Sequence, residues 1–155
     1  MKGKVVHTSC AGKPRFAVVA GEFHASITES LLKACVDEFS RHGVCECEIQ
    51  VVRVPGAFEA PLTALKLARR KNIQAVICLG AVVRGETFHY ELVAQAAARG
   101  IMEVALSTGK PVIFEILAAD TLKHCQERAR EGDRDNKGAA AARAALDMVR
   151  TLKTI

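Results

Sequence analysis

Apolar residues along this chain fall into short runs that alternate with longer stretches of helical spacing. The short runs predict strands, because strands buried on both faces form nearly continuous apolar segments; they cover 16–20, 46–54, 75–79 and 112–117. The longer stretches repeat every three or four residues and predict helices; they cover about 26–42, 58–71, 89–107, 121–130 and 137–153. Strands separated by helices are typical of βαβ units. We therefore predict an α/β fold: a flavodoxin-like, single-domain, three-layer α/β/α sandwich with a four-stranded parallel sheet.

The two ends of the chain differ in character. Residues 16–155 contain every predicted strand and helix and form the predicted domain. Residues 1–15 hold Val5 and Val6 among polar residues, which fits either a disordered tail or a strand added to a neighbouring subunit. The sequence leaves both alternatives open.

Composition narrows the classes of partner. Half of the 155 residues are apolar and a quarter are charged, with a net charge of +5. The basic residues are scattered and lack the interleaved aromatics of a single-strand binding surface, so we expect no nucleic-acid partner. No apolar run is long enough for a membrane span or a secretory signal, and we expect a cytoplasmic protein with no membrane partner.

The six cysteines carry no metal-binding spacing and no CxxC pair. Cys35 and Cys78 lie in apolar runs and are predicted as small core residues. Cys45 and Cys47, two apart in a predicted strand, are expected on one face. We expect all of these thiols to be reduced.

Polar and turn-forming residues gather after the ends of three predicted strands. Gly21 to His24 follow the first strand, Val54 to Glu59 the second, and Gly80 to His89 the third. Parallel strands bring these turns to one sheet edge, where helix N-termini also point and where open α/β sheets bind ligands. Alone, His89 is more typical of a helix start than of a catalyst, and Glu59 of a first-turn carboxylate. Together they indicate a site for a polar, partly anionic small molecule.

Several of these segments, in order and at near-constant spacing, closely resemble the lumazine synthase family. They are VPGAFE (54–59), GAVVRGETFHYELV (80–93), PVIFEIL (111–117), ERA (127–129) and NKG (136–138). The resemblance spans nearly the whole chain. It implies an enzyme that joins 5-amino-6-(D-ribitylamino)uracil to 3,4-dihydroxy-2-butanone 4-phosphate, giving 6,7-dimethyl-8-ribityllumazine, phosphate and water.

The resemblance also implies roles for matching residues, with no metal and no cofactor. Phe23 would stack on the pyrimidine, and His89 would transfer protons. The ribityl chain would be held by Ala57, Phe58 and Glu59, and the pyrimidine edge by the backbone of Ala81, Val82 and Val83. Phosphate would be bound by Glu86, Thr87 and Arg128, and the remaining positions near the substrates would be Phe114 and Lys137.

In the family, active sites lie between neighbouring subunits of a pentamer, and some members build sixty-subunit shells. The resemblance therefore implies a homo-oligomer in which Phe114 and Arg128 enter the site of the adjacent chain. The charged loop 129–136 departs from the compact turn of shell-forming members, so a pentamer or a pentamer pair is favoured over a shell.

Other departures concern Glu22, His24 and Glu115, which replace a basic residue, an Asn and a Gly that are common in the family. They leave the effect on substrate contacts open. Alternative interpretations are a non-catalytic flavin- or lumazine-binding shell protein, a relative of the archaeal-type riboflavin synthase, and a phosphate-binding domain of other function. The presence of His89, Thr87 and Arg128 favours the condensing enzyme.

Overall fold

The computed structural model describes residues 14–155 and has the predicted three-layer α/β/α architecture. Its four strands are β1 (Phe16–Gly21), β2 (Ile49–Val54), β3 (Ala75–Val83) and β4 (Val112–Ala119). All neighbouring strands pair in parallel, in the order β2-β1-β3-β4, so β2 and β4 form the two edges. The predicted tail or exchanged strand covers residues 1–15, of which residues 1–13 lie outside the described residues.

In residues 14–155, five α-helices cover the two faces of the sheet. They are α1 (Ala25–Arg41), α2 (Ala60–Ala68), α3 (His89–Thr108), α4 (Leu122–Arg128) and α5 (Lys137–Leu152). One apolar cluster packs α1 and α5 on one face, and a second packs α2 and α3 on the other. Because β1 and β3 lie between both layers, nearly all of their side chains are buried, which explains their continuous apolar sequence.

The structure differs from the predicted bounds in the second and third strands. Glu46–Glu48 form a short 3-10 helix, and β2 begins only at Ile49. At its other end, β3 continues through Gly80 to Val83, because Val82 and Val83 pair with Ala118 and Ala119 of β4. The predicted turn after β3 is therefore shorter, and it begins at Arg84.

Cysteine positions agree in part with the prediction. Cys35 and Cys78 are fully buried in the core, as expected. Cys45 and Cys47 precede β2 instead of lying within it, so the alternation of a strand does not place them. Their sulfur atoms are nevertheless neighbours, because the 3-10 turn brings them together.

One glycine has a clear packing role in the layer beside the site. Gly100, in the middle of α3, faces Pro61 of α2, and a Cβ at this position would lie 2.8 Å from the proline ring. The glycine therefore allows α3 to approach α2 closely over the sheet. Within residues 14–155, no helix combines the length and apolarity needed to cross a membrane.

Candidate active site

The turns after β1, β2 and β3 enclose a cavity of about 460 Å³ at the carboxyl edge of the sheet. Backbone hydrogen bonds join the first two turns: Glu22 N donates to Val54 O at 2.8 Å, and Phe23 N donates to Pro55 O at 3.1 Å. The site thus rests on adjacent strands whose register is fixed by the parallel ladder.

Most of the predicted site residues line this cavity. They are Phe23, Ala57, Phe58, Glu59, Ala81, Val82, Val83, Thr87 and His89. Ala81 and Val82 are buried at the end of β3, whereas Phe23 lines the cavity and is 68% exposed. An aromatic side chain held this far out of the core leaves one ring face available for stacking on a planar ligand.

The turn after β2 places a carboxylate at the wall of the cavity. Ala57–Glu59 form a 3-10 helix that leads directly into α2, with Pro61 in its first turn. A Cβ at Gly56 would lie 3.3 Å from Glu59 Oε2, so the glycine leaves room for the carboxylate. Glu59 can accept hydrogen bonds from hydroxyl groups, the chemistry expected of a polyol-binding position.

The third turn places His89 as the first residue of α3, with its side chain exposed to the cavity. The backbone N–H of His89 donates to Thr87 Oγ1 at 3.5 Å. Phe88, the N-cap residue of α3, makes no side-chain cap hydrogen bond. The positive end of the helix dipole, beside a threonine hydroxyl, favours an anion.

Glu86 belongs to the same turn but does not line the cavity; its side chain is exposed. Gly85, between Arg84 and Glu86, does line it and keeps the main chain accessible. In this turn the cavity wall is therefore formed by Gly85 and Thr87, and Glu86 lies outside it.

Phe114, Arg128 and Lys137 do not line the cavity of their own chain. The Arg128 guanidinium donates to His124 O at 3.1 Å on the surface of α4. Phe114 is partly exposed on the edge strand β4, and Lys137 begins α5 with an exposed side chain. A single chain therefore does not assemble the full set of predicted site residues.

Glu115 is the departure from the family pattern that lies closest to these three residues. It follows Phe114 in β4, and by strand alternation it faces the α5 layer, as do Ile113 and Leu117. Burial raises the pKa of Glu115, and the positive charge of Lys137 opposes this shift. The side chain thus lies near Lys137 and away from the α2–α3 face.

Five further residues of the cavity wall had no predicted role: Pro55, Gly56 and Gly85, which lie in the predicted turns, and Tyr90 and Val93 of α3. Tyr90 has the clearest signal, since it is the single tyrosine of the chain and directly follows His89. Its hydroxyl donates to Glu91 Oε1 at 2.9 Å, and this hydrogen bond raises the pKa of Tyr90. The Arg84 guanidinium lies 6.0 Å from its ring centroid, which ties the turn to α3.

The charged groups of the cavity are suited to proton transfer and anion binding. Among residues 14–155, no cluster of three or more His, Cys, Asp and Glu side chains is placed to hold a metal ion. The cavity wall combines exposed aromatic rings, a carboxylate, an imidazole and a helix N-terminus. Such a set can bind a planar heterocycle with a polar chain beside an anionic co-substrate.

Comparison with known proteins agrees with this geometry. The 6,7-dimethyl-8-ribityllumazine synthase family model matches residues 13–153. Proteins named 6,7-dimethyl-8-ribityllumazine synthase from two strains of Thermus thermophilus are each 45% identical over 141 residues. These alignments cover 91% of this chain and 89% of each relative. The chain therefore belongs to the 6,7-dimethyl-8-ribityllumazine synthase family.

Proposed function

We propose that this protein condenses 5-amino-6-(D-ribitylamino)uracil with 3,4-dihydroxy-2-butanone 4-phosphate to form 6,7-dimethyl-8-ribityllumazine in riboflavin biosynthesis. The observation that carries the proposal is the convergence of Phe23, Glu59 and His89 on one cavity in a chain of this family. These three residues come from three separate turns, and only the fold brings them together.

The uracil substrate occupies the part of the cavity between the first and second turns. Phe23 stacks on the pyrimidine ring, and the backbone of Ala81, Val82 and Val83 pairs with its polar edge. The ribityl hydroxyls extend toward Ala57, Phe58 and Glu59, where the carboxylate accepts hydrogen bonds. The exposed position of Phe23 and the wall position of Glu59 support this orientation.

The phosphate of the second substrate lies at the turn before α3. Glu86 and Thr87 form that turn, and the N-terminal N–H groups of the helix point toward the anion. Arg128 of an adjacent chain supplies a guanidinium, which binds phosphate through paired N–H groups. Lys137 of the same neighbour adds a second positive charge near the substrates.

His89 moves protons during the condensation. When the amine nitrogen attacks the ketone carbon, the imidazole accepts the amine proton and returns it to the departing hydroxyl, which leaves as water. A proton is then lost from the carbon beside the imine, and the phosphate leaves with the electron pair of its C–O bond, its growing charge stabilised by Thr87 and Arg128. The resulting enol becomes a ketone, the ribitylamino nitrogen attacks the ketone carbon, and a second water leaves as the ring closes. Holding two reactive substrates side by side supplies much of the acceleration.

The site is completed by a second copy of the chain. Large apolar side chains remain exposed on α2 and α3, namely Leu62, Leu92, Met102 and Leu106. A neighbouring chain that covers this surface would bring its Phe114, Arg128 and Lys137 to the open side of the cavity. We propose a pentamer, or a pair of pentamers, with active sites between adjacent chains.

The first test is the complete assay with a His89→Ala variant. Both substrates are mixed with the protein while the product is followed by absorbance and the released phosphate is counted. The parent protein forms lumazine and phosphate in equal amounts, and His89→Ala lowers kcat roughly 10²-fold but leaves activity above background, because binding still orients the substrates.

A matched control is His42→Gln. His42 follows the 17 residues of α1, which begins beside the cavity, so His42 lies roughly 25 Å away. We therefore expect this variant to keep the parental rate. No product above background from the parent protein would reject the enzymatic function. A parental rate from His89→Ala would reject the proton-transfer role alone.

The second test concerns the shared site. His89→Ala and Arg128→Ala are each purified and then co-assembled in equal amounts from unfolded chains. If sites form between chains, about a quarter of them receive one intact His89 and one intact Arg128, and activity rises to about a quarter of the parental value. Activity that stays at the average of the two variants would place both residues in one chain's site.

A further inference from the structure

The turn that precedes β2 holds two thiols side by side. The Cys47 thiol donates to Cys45 Sγ across 2.8 Å. A disulfide bond is about 2.05 Å long, so bond formation requires the two sulfur atoms to approach by less than about 1 Å. Cys45 is exposed and Cys47 is partly exposed, which leaves both within reach of a small reagent.

The backbone of the turn explains why the two thiols are neighbours. Glu48 N donates to Cys45 O at 2.8 Å, and Cys45 N donates to Glu48 Oε2 at 3.0 Å. These two bonds close the 3-10 helix Glu46–Glu48 on itself. The Glu48 carboxylate also pairs with Arg15, and Arg15 N donates to Glu48 O at 2.8 Å. The turn is thereby attached to the start of β1, so the fold holds the backbone of both cysteines in place.

The buried cysteines have a different environment. Cys35, Cys78 and Cys125 are inaccessible in the core. Burial raises the pKa of each of these thiols, that of Cys78 to about 12. The thiolate is the reactive form, so these three cysteines stay inert at neutral pH. Cys10 lies outside the described residues.

We propose that Cys45 and Cys47 are a redox-active dithiol that closes to an intraturn disulfide when it meets a low-molecular-weight disulfide such as oxidised glutathione. One protein thiolate attacks a sulfur of the reagent, forms a mixed disulfide and releases one reduced thiol. The neighbouring protein thiolate then attacks the mixed disulfide, forms the Cys45–Cys47 bond and releases the second reduced thiol. Together the two cysteines lose two electrons and two protons, and the reagent gains the same two electrons and two protons.

The dithiol is separate from the proposed active site. It precedes the first residue of β2, at the amino edge of the sheet, whereas the cavity follows the last residue of the same strand. Six strand residues span roughly 20 Å. Oxidation of the two thiols is therefore measured as disulfide formation. The result does not depend on whether the protein has the proposed enzymatic function.

The test uses the full chain with Cys10→Ser, so that the dithiol is the single accessible pair. The folded protein is treated with oxidised glutathione at mildly alkaline pH, remaining thiols are alkylated, and the protein is digested with trypsin. The peptide from His42 to Arg53 contains Cys45 and Cys47 and no other cysteine. We expect this peptide to lose about 2 Da without alkylation, and dithiothreitol to restore both thiols.

Three controls make the result specific. Cys45→Ser and Cys47→Ser each keep one thiol of the pair, so they accumulate the mixed glutathione disulfide. The same reaction in denaturing urea closes the pair at least about tenfold more slowly, because the turn no longer holds the thiols together. A mixed disulfide that persists in the folded protein, an unmodified peptide, or an equal rate in urea would overturn the proposal.

Discussion

Gly138, the second residue of α5, packs against the main chain of Leu31 in α1. A Cβ on Gly138 would lie 1.9 Å from Leu31 O and 2.6 Å from Leu31 C. The contact involves backbone on both sides, so no side-chain rotation can relieve it. The two helices cover the same face of the sheet, and their separation is set at this position.

Gly138→Ala is therefore expected to destabilise the fold, even though alanine is the better helix former. Forcing α5 away from α1 should cost about 2–3 kcal/mol in the free energy of unfolding, measured by urea denaturation. Gly85→Ala serves as the control, because a Cβ there meets nothing within 4 Å. Equal unfolding free energies for the two variants would contradict the close-packing account.

Glu38 is 6% exposed, and its carboxylate lies beside the side chains of Arg41, His42 and Arg143. Burial disfavours the charged form, but hydrogen bonds from Arg143, Arg41 and His42 outweigh burial and lower the pKa of Glu38 below its usual 4.5. A lowered pKa stabilises the fold above pH 4.5, and this contribution is lost as the pH falls through the lower value of the folded state.

Glu38→Gln should accordingly reduce the free energy of unfolding at pH 7 by about 1–3 kcal/mol. The difference from the parent protein should narrow as the pH falls from about 5 toward 3, where the parent carboxyl also becomes neutral. Unfolding curves across this range provide the measurement. Glu29→Gln, which removes the exposed partner of Arg53, should cost less than about 1 kcal/mol. A pH-independent difference would show that charge is not the cause.

Arg128→Ala is expected to weaken the binding of the phosphate substrate selectively. Loss of paired N–H donors to a phosphate should raise KM for the butanone phosphate about 10–100-fold, while KM for the uracil substrate changes little. Arg130→Ala is a matched control two residues away, since Asn136 bonds to the Arg130 backbone and not to its side chain. If both variants raised KM for the butanone phosphate equally, Arg128 would act only as a general positive surface charge.

Phe23→Ala should show the opposite selectivity. Without the exposed ring, KM for the ribitylaminouracil should rise about tenfold, because stacking on the pyrimidine is lost. Phe23→Tyr keeps the ring and should retain most of the affinity. Steady-state kinetics with each substrate varied in turn would separate this effect from that of Arg128. Unchanged kinetics in Phe23→Ala would exclude stacking at this position.

Much of the fold could be predicted from the sequence because β1 and β3 are buried on both faces. Burial of this kind produces continuous apolar runs. Helical periodicity between these runs predicts helices that connect parallel strands and cover the faces of the sheet. The errors occur where a local turn overrides the alternation of residue types, or where the end of a strand depends on tertiary pairing. Glu46 and Glu48 alternate as in a strand, but Glu48 bonds back to Cys45 and closes a 3-10 turn. The end of β3 depends on pairing with β4, which is a tertiary contact that no local window contains.

The sequence predicts those site residues that directly follow the ends of strands. The carboxyl edge of a parallel sheet brings Phe23, Glu59 and His89 together whatever the details of the helices. Tyr90 and Val93 were missed because they enter the cavity from the inner face of α3, and helical periodicity assigns that face to the core. Arg128 does not line the cavity of its own chain. Its proposed place in the site of an adjacent chain comes from the family resemblance and not from any local pattern of residues.

His24 precedes α1 with φ 57° and ψ 48°, the left-handed backbone region. Within residues 14–155 it is the only residue other than glycine with positive φ. Histidine and asparagine are among the side chains that tolerate this conformation best. Histidine can thus replace the asparagine that is common here in the family, because both residues let the chain reverse direction after Phe23. The backbone conformation of His24 therefore sets the direction in which α1 leaves the turn that carries Phe23.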